Sequence, residues 1–595
     1  MLREIINFTN SLSPESFTRN LQPTEGLHIQ VELDEHGKLI NHQKSFYRKN
    51  DELTPFLQDC LNRQQNSIWI SANKALDSNK KIHSCSAFCV AFKRQVFDKI
   101  QDRVEPYFDV ASEYCEDDER LLNLSSLFRQ FAVSTLIDFV DQQIKEVESE
   151  EVNGKQVKVA KGHYIYIYFR NASIDDFKTV HQKYLAKRAV NKEDFNQDVE
   201  GITYGVPDYL TGYNTKKPFL QHQTAPFEIN NRVSSDDVMQ LFRFSQLKAN
   251  RQLPNPLPIF IEKEELNDKV VSIFNRDSER NITYSKIITA VCEQDRDLGN
   301  YYLLNIQGNS VNDFDFVSSF RYHLDPEIKI QGIFTSSEGL TGANIKTIFE
   351  FERKIVQNIF ENQLVNIYQD RLSMRYFYDD LKCKRAAIYQ LVMKYRKAFY
   401  DYIYKSKHQA INSQMFHDIM QTGILDLLKQ DEFKDRHHTK EFAIKEKLDI
   451  WFSLYEYFNH SKSEGGETPM ANKVLFLQER MQEIANESLA HVENDNEFAY
   501  AAGQAIYYLL NQSEAGNKSH ALLEPFLQKT DPAQFKIALS RMFAQYKHAI
   551  AFYKGRFEKL MAEVLSYDPD EPLKSLLPMI LAGYFANCVI YQKTE

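Results

Sequence analysis

The spacing of hydrophobic residues changes along the chain, and this change predicts its organisation. The segment HYIYIYF, residues 163–169, alternates aromatic and β-branched positions, which predicts a strand. Residues 174–190 then carry apolar side chains at helical spacing, which predicts a helix. Segments rich in Gly and Pro, which are typical of loops, follow. Residues 1–345 are therefore predicted to form a mixed α/β domain.

A helical period begins after that domain. Ile348, Phe351 and Ile355 mark one face, and neither Gly nor Pro interrupts the pattern until Gly423. Because Gly and Pro are the residues that most often end a helix, their absence predicts long, continuous helices. Residues 346–460 are predicted to form this helical middle region.

A polar segment, SKSEGGETP at residues 461–469, separates the middle region from the rest of the chain. Its two adjacent glycines and its proline favour a loop over a helix. Beyond it, apolar residues return at helical spacing, so residues 470–595 are predicted to form a helical bundle with its own core. The predicted fold class is α+β, with a mixed α/β N-terminal domain followed by long helices and a C-terminal helical bundle.

Composition limits the classes of function. Hydrophobic residues make up 43% of the 595 positions, which is enough for packed cores and excludes wholesale disorder. The net charge of −10 disfavours nucleic acid as a partner when it is averaged over the whole chain. A nucleic acid, however, senses charge within about 8 to 10 Å, so a local basic groove is compatible with this average.

No pattern of catalytic residues or metal ligands is present in the sequence. The seven cysteines form no CxxC pair, and a structural zinc ion needs four ligands, so free thiols and no metal site are predicted. In GLTGANIKT, residues 339–347, three residues separate the last Gly from Lys, unlike a phosphate-binding loop. The acidic pairs at 313/315, 379/380 and 568/570 lack a histidine pattern. We expect a protein that is not an enzyme and holds no cofactor.

Two observations predict a soluble, cytoplasmic protein with no membrane partner. Glu4 places an acidic residue in the first four positions, whereas a signal peptide begins with a positively charged region. The most apolar run, residues 576–591, is shorter than the roughly 20 residues of a membrane span and contains Pro578 and Asn587.

Basic residues concentrate in the predicted middle region. Residues 371–408 contain ten Lys or Arg, three Asp and nine interleaved aromatic residues. Clusters of like charge repel one another unless a polyanion neutralises them, so contact with nucleic acid or nucleoprotein is predicted. The alternative is a solvated helix face whose Tyr and Phe side chains belong to the core. The candidate contacts are Lys384, Arg385, Lys394, Arg396 and Lys397.

Two smaller basic groups are further candidates for nucleic-acid contact. The helix predicted over 174–190 carries Lys183, Lys187 and Arg188 on its surface. The terminal bundle carries a second basic patch, in which only Glu558 opposes the cations. The members of this patch are Arg541, Lys547, Lys554, Arg556 and Lys559.

Five segments of the terminal bundle resemble one protein family by their order and spacing. They are FAYAAGQAIYYL (498–509), LLEPF (522–526), YKHAI (546–550), KGRF (554–557) and ILAGYF (580–585). Together they resemble the C-terminal region of the large subunit of type I-B CRISPR effector (Cascade) complexes. The Lys-Pro-Phe loop and Pro-rich strand within residues 201–261 are similar to the same family, more loosely. Many relatives carry a cysteine-rich insert that this chain lacks, so no zinc site is carried over.

The resemblance implies a non-catalytic subunit of an RNA-guided antiviral complex. The first domain would recognise the protospacer-adjacent motif, the helical bundle would stabilise the R-loop, and the chain would recruit the helicase-nuclease. The implied partners are CRISPR RNA, the backbone and other Cascade subunits, small subunits, target double-stranded DNA and the displaced single strand. Motif recognition would fall to loop residues able to contact base edges. These residues are Asn214, Lys216, Lys217, Asn230, Asn231 and Arg232.

The resemblance also implies a second translation start at Met470. In type I-B relatives the small subunit is often translated from within the reading frame of the large subunit. Met470 directly follows the polar segment, and a product that starts there contains every predicted helix of the bundle. The alternative is an ordinary methionine at the end of a linker.

Two other classes of function stay open at this point. One is a helical scaffold or adaptor that binds protein partners through its basic patches. The other is a metal-dependent nuclease, which the absence of a paired carboxylate and histidine pattern disfavours.

Overall fold

The chain forms two compact units in the computed structural model. The first unit comprises Met1–Tyr284 and Leu304–Phe314, and the second comprises Ser285–Leu303 and Asp315–Glu595. Helices predominate over several small sheets, which confirms the predicted α+β class. The structure describes residues 1–49, 51–152, 155–190, 196–205, 232–276, 282–293, 298–308, 310–335, 339–368, 371–431, 440–459, 469–487, 489–513, 519–550 and 555–592.

A mixed four-stranded sheet lies in the first unit. The strands of this unit are β1 (Gly26–Leu33), β2 (Leu39–Tyr47), β3 (Cys89–Lys93), β4 (Glu151–Val152), β5 (Lys155–Gln156), β6 (Tyr164–Phe169), β7 (Gln197–Val199), β8 (Ile202–Gly205), β9 (Val233–Ser234) and β10 (Leu257–Phe260). The sheet has the order β2-β1-β6-β3. Strand β1 runs parallel to β6 and antiparallel to β2, and β3 runs antiparallel to β6. Strand β6 confirms the strand predicted from residues 163–169.

The start of the β1–β6 pair requires a glycine. Gly26 has a φ of +145°, and a Cβ atom there would lie 1.9 Å from the backbone oxygen of Tyr164. Only glycine adopts this conformation and lets the two backbones approach so closely. Two smaller three-stranded sheets follow. Strands β7, β8 and β9 form one of them. Strand β10 forms the other with β11 (Gly299–Gln307) and β12 (Ser310–Ser319), in the order β10-β11-β12.

Helices pack against the four-stranded sheet and enclose an aliphatic and aromatic core. The helices of the first unit are α1 (Leu2–Asn10), α2 (Pro14–Thr18), α3 (Pro55–Gln65), α4 (Gln101–Ala111), α5 (Glu119–Ser134), α6 (Leu136–Glu148), α7 (Ile174–Arg188), α8 (Ser235–Ala249) and α9 (Glu265–Phe274). Helix α7 confirms the helix predicted after β6. It begins with a capping box, in which the Ser173 Oγ accepts from the backbone N–H of Asp176 and the Asp176 carboxylate accepts from the backbone N–H of Ser173.

The second unit is mainly helical. Its helices are α10 (Tyr284–Cys292, of which Tyr284 belongs to the first unit), α11 (Ile348–Phe351), α12 (Gln357–Ile359), α13 (Ala386–Lys405), α14 (Ser413–Lys429), α15 (Glu441–Ser453), α16 (Met470–Asn486), α17 (Asp495–Asn511), α18 (Glu524–Leu527), α19 (Pro532–Tyr546), α20 (Arg556–Ser566) and α21 (Leu573–Phe585). A π-helical turn, Glu352–Val356, joins α11 to α12. Strands β13 (His323–Lys329) and β14 (Asn344–Thr347) form one antiparallel pair, and β15 (Val365–Tyr368) and β16 (Arg371–Met374) form another.

The continuous helix expected between residue 346 and Gly423 is wrong. After α12, Glu361 and Asn362 adopt φ values of 52° and 61°. This left-handed conformation ends a helix, because the next residues can no longer continue its hydrogen bonds. The β15–β16 hairpin follows, and helix resumes only at α13.

The C-terminal helices α16 to α21 belong to the same compact unit as α13 to α15. Asp431, which is buried at the end of α14, accepts hydrogen bonds of 2.7 Å from the backbone N–H groups of Lys440 and His520. One carboxylate therefore joins the end of α14 to the residue before α15 and to the turn before α18. The linker predicted over 461–469 falls almost wholly outside the described residues.

One segment, Leu573–Tyr591, is long and apolar enough to cross a membrane by length and composition. Of its most apolar window, 83% is buried inside the protein, as in a core helix of a soluble protein. The seven cysteines are free thiols, and six of them are buried.

Candidate nucleic-acid interface

Ion pairs neutralise part of the basic stretch predicted over 371–408. Arg385, the residue before α13, is half-buried, and its Nε donates to Asp426 Oδ2 at 2.6 Å while its Nη1 contacts Glu361. On α13, Lys394 Nζ lies 2.9 Å from Asp418 Oδ2. These acids belong to other elements, so a charge count within the sequence window does not include them.

Two further cations on α13 pair with Asp residues that lie inside the sequence window. Arg396 Nη2 lies 2.9 Å from Asp379 Oδ1, and only 16% of its side chain is exposed. Lys397 Nζ lies 3.5 Å from Asp401 Oδ1, one helical turn away. A phosphate at either position would have to displace a carboxylate.

The loop before α13 carries two exposed lysines that, unlike the cations on α13, are not paired with an acid among the described residues. Lys382 and Lys384 have exposed side chains and form no ion pair with any of the described residues. Lys384 was predicted as a contact, and Lys382 belongs to the same predicted basic stretch. Like-charged neighbours in an exposed loop were the available sequence signal for both.

The candidates on α7 pair with the turn that precedes α5. Lys183 forms an ion pair with Asp117, and Lys187 Nζ lies 3.0 Å from Glu113 Oε2. Arg188 donates from Nε to the Tyr114 hydroxyl at 2.8 Å. Carboxylates therefore neutralise Lys183 and Lys187, whereas the Arg188 guanidinium meets a neutral hydroxyl.

Two of the four described members of the terminal patch are exposed cations. Arg541 on α19 and Lys547 just after it are exposed and make no ion pair with the described residues. His548 is exposed beside them and extends the same surface, although sequence reasoning did not select it as a contact. Lys554 lies outside the described residues.

Two predicted members of this patch serve the fold instead. Arg556 is only 9% exposed, and its Nη1 donates to the backbone oxygens of Val589 and Gln592. Lys559 is half-buried and donates to the backbone oxygen of Glu487. The prediction that Arg556 belongs to an exposed patch is therefore wrong, because its guanidinium group caps buried carbonyl groups.

Most of the loop residues predicted to recognise a motif cannot be placed. Asn214, Lys216, Lys217, Asn230 and Asn231 lie outside the described residues. Arg232 is half-buried immediately before β9.

Two of the five segments that carry the family resemblance pack directly on each other. A Cβ atom on Gly503 of α17 would lie 2.2 Å from the backbone oxygen of Ile580, and one on Gly583 of α21 would lie 2.1 Å from that of Tyr500. Glycine at both positions lets the two helix backbones touch. The close approach of α17 and α21 therefore explains both the glycine in FAYAAGQAIYYL and the glycine in ILAGYF.

Polar contacts fix the same helix pair. Gln504 is completely buried, donates from Nε2 to the Gly583 oxygen and accepts from the Val589 backbone N–H at 2.9 Å. His520, two residues before the LLEPF segment, approaches the Tyr584 hydroxyl through Nδ1 at 3.1 Å. Two of the resembling segments thus meet at α21, and His520, which precedes a third, also contacts this helix.

One acid of each pair considered for catalysis has a structural partner. Although burial opposes the shift, hydrogen bonds from Lys407 and Lys405 hold the pKa of Asp315 at about 2. Asp379 pairs with Arg396, and Asp568 pairs with Lys536 at 2.6 Å. Within the described ranges, no group of three His, Cys, Asp or Glu residues could hold a metal ion.

No model of a known protein family matches the sequence, and no curated protein matches it.

Proposed function

We propose that the chain is the non-catalytic large subunit of a type I-B CRISPR RNA-guided surveillance complex in the cytoplasm. It recognises the protospacer-adjacent motif, stabilises the R-loop and recruits the helicase-nuclease in antiviral defence. The observation that carries the proposal is the packing of α17 on α21. The segments that resemble the family are the ones that build this glycine-to-glycine contact and its buried Gln504.

Exposed cations support contact with nucleic acid at two surfaces. The loop surface comprises Lys382 and Lys384. The terminal surface comprises Arg541 and Lys547, with the polar His548 side chain beside them. A cation that has no carboxylate partner can contact a phosphate directly, and the counterion condensed on the nucleic acid is then released. Such contacts give sequence-independent affinity, as a displaced single strand requires.

A second candidate function is a helical scaffold or adaptor that binds protein partners. The ion pairs on α7 and α13 favour it, because they lower the positive charge available to a polyanion. Leu475 and Phe476, which lie side by side on α16 with 43% and 61% exposure, favour it further.

The two candidates differ in the salt dependence of DNA binding. The test variant replaces Lys382, Lys384, Arg541 and Lys547 by Ala in a complex assembled with CRISPR RNA and the other subunits. We expect weaker binding of every target duplex and a salt slope reduced by about 0.9 for each phosphate that the variant no longer neutralises. Fluorescence anisotropy at several salt concentrations measures both quantities.

A charge-matched control separates the effect of these four side chains from that of net charge. It replaces four exposed lysines elsewhere in the second unit, namely Lys329, Lys346, Lys429 and Lys574. The control is expected to keep the wild-type slope. Equal slopes for wild type, test variant and control would support the adaptor instead.

A further inference from the structure

A large cleft in the first unit has an unusual chemical lining. It lies among α1, α2, α3, α7 and α8 and has a volume of about 970 Å³. Ten of its 25 lining residues are Asn or Gln, and none is Asp or Glu. Most other lining residues are apolar, so the cleft combines a hydrophobic floor with neutral groups that both donate and accept hydrogen bonds.

Many of these amide groups have unused hydrogen-bonding capacity. The side chains of Gln65 on α3, Gln182 on α7 and Gln246 on α8 make no hydrogen bond to the described residues. The side-chain oxygens of Gln240 and Gln252 are buried and accept none either. An unsatisfied buried acceptor is unfavourable. A ligand is therefore favoured if its donors can reach these glutamine oxygens once the glutamine side chains rotate towards the cleft.

The lining disfavours charged ligands. Sites for divalent metal ions and for amines are usually built on carboxylates, which the cleft lacks. A polyanion needs several free cations, but the lining offers only Lys178, which lies 3.1 Å from Asp175, and Arg243. The remaining ionisable group is His181, whose pKa burial lowers to about 4, so it is neutral at physiological pH.

Nucleobases also fit poorly, because the aromatic rings of the lining are already engaged by other side chains. The Arg243 guanidinium carbon lies 5.4 Å from the centre of the Phe17 ring and covers it. Phe242 is buried and packs edge-on against His181. Binding of single-stranded nucleic acid relies on such aromatic faces, so the cleft lacks this recognition element.

We propose that this cleft binds an extended segment of a partner polypeptide, apolar at alternate positions, with one or two acidic residues and no basic ones. Peptide groups present one donor and one acceptor per residue, which matches side-chain amides from three helices. Alternate side chains of an extended segment point to one side and reach the floor at Leu61, Leu185 and Leu247. Arg243 meets one acidic residue, and Lys178 meets a second if it exchanges its Asp175 partner for that residue. This inference does not depend on the proposed role in an RNA-guided complex.

A peptide-display experiment tests the proposal. A library of random 12-residue peptides on phage is selected against the purified full chain, and an enriched peptide is synthesised with a fluorescent label. We expect apolar residues at alternate positions and a shortage of Lys and Arg. Replacing Gln182 and Gln246 by Leu, which has similar volume, should weaken binding at least tenfold. Gln101→Leu, at an exposed glutamine outside the cleft, should bind as the wild type does.

Three results would overturn the proposal. One is that no peptide is enriched whose binding depends on the two glutamines. Another is that labelled random 12-nucleotide DNA or RNA binds and loses affinity in the double variant, which would assign the cleft to nucleic acid. If circular dichroism shows that the double variant does not fold, Arg243→Glu at the exposed rim is tested in its place. Undiminished binding of an acidic peptide by Arg243→Glu is the third result that would contradict the proposal.

Discussion

Glu352 places a carboxyl group in the core of the second unit without a cation beside it. It lies on the π-helical turn and accepts hydrogen bonds from the hydroxyl groups of Tyr376 at 2.8 Å and Tyr404 at 2.9 Å. Burial raises the pKa of Glu352 to about 7, although both hydrogen bonds favour the carboxylate. The folded state therefore binds this proton more tightly than the unfolded state does.

That difference predicts a stability that depends on pH. The free energy of unfolding should fall as the pH rises from about 4.5 to about 7, by roughly 3 kcal/mol from this residue. Replacing Glu352 by Gln removes the titration, so melting temperatures of the variant should vary less between pH 5 and pH 8 than those of the wild type. Calorimetric melting across this range measures the effect.

Glu350 provides a matched control on the preceding turn. Burial opposes the shift, but backbone N–H groups, including that of Lys346, lower the pKa of Glu350. Its contribution to stability is therefore lost only as the pH falls below the usual carboxyl range. Glu350→Gln should keep the wild-type trend between pH 5 and pH 8, and the same trend in Glu352→Gln would contradict the assignment.

At the scale of elements, the contact between α17 and α21 depends on two glycines. Gly503→Ala would place a Cβ atom 2.2 Å from the Ile580 oxygen and 2.7 Å from the Tyr584 nitrogen. The helices must separate to accommodate it, at a cost of about 1 to 3 kcal/mol. We expect a lower melting temperature for Gly503→Ala and for Gly583→Ala, measured by calorimetry.

Gly423 on α14 is the matched control for this prediction. A Cβ atom there meets only the Lys447 Nζ, at an ordinary 3.6 Å. Alanine favours a helix over glycine by about 1 kcal/mol, so Gly423→Ala should leave stability unchanged or increase it. Equal effects at Gly423 and Gly503 would mean that helix propensity, not the close contact, decides the outcome.

The elements show what a sequence can and cannot predict. Strand β6 and helix α7 were predictable because their periods are local and strong. The β15–β16 hairpin was missed because its short strands contain neither Gly nor Pro, and two left-handed residues of ordinary type end the preceding helix. Arg385 was misjudged because its partners, Asp426 and Glu361, are distant in sequence.

The start of α16 at Met470 makes the internal translation start testable. A product of 126 residues would contain every helix from α16 to α21 and would lack Asp431, which accepts from His520 in the full chain. With a C-terminal tag at the native locus, we expect this short species beside the full chain. Replacing the Met470 codon by a Leu codon should remove it, whereas Met481→Leu should not. A short species that persists without Met470 would contradict this prediction.

At the scale of the whole molecule, the net charge of −10 conceals the distribution that matters. Many predicted contacts are neutralised by carboxylates from other elements, and exposed cations without such partners remain at the loop and terminal surfaces. Charge counts along the sequence could locate basic segments but not their partners. Which cations stay free is a property of the tertiary structure.

The RNA that accompanies the chain distinguishes a subunit of an RNA-guided complex from an adaptor. The tagged full chain, expressed in its native host, is purified under non-denaturing conditions, and any bound RNA is sequenced. We expect small RNAs that each join a constant repeat-derived end to a variable spacer, together with the other subunits of the complex. A preparation that contains protein partners but no such RNA would contradict it.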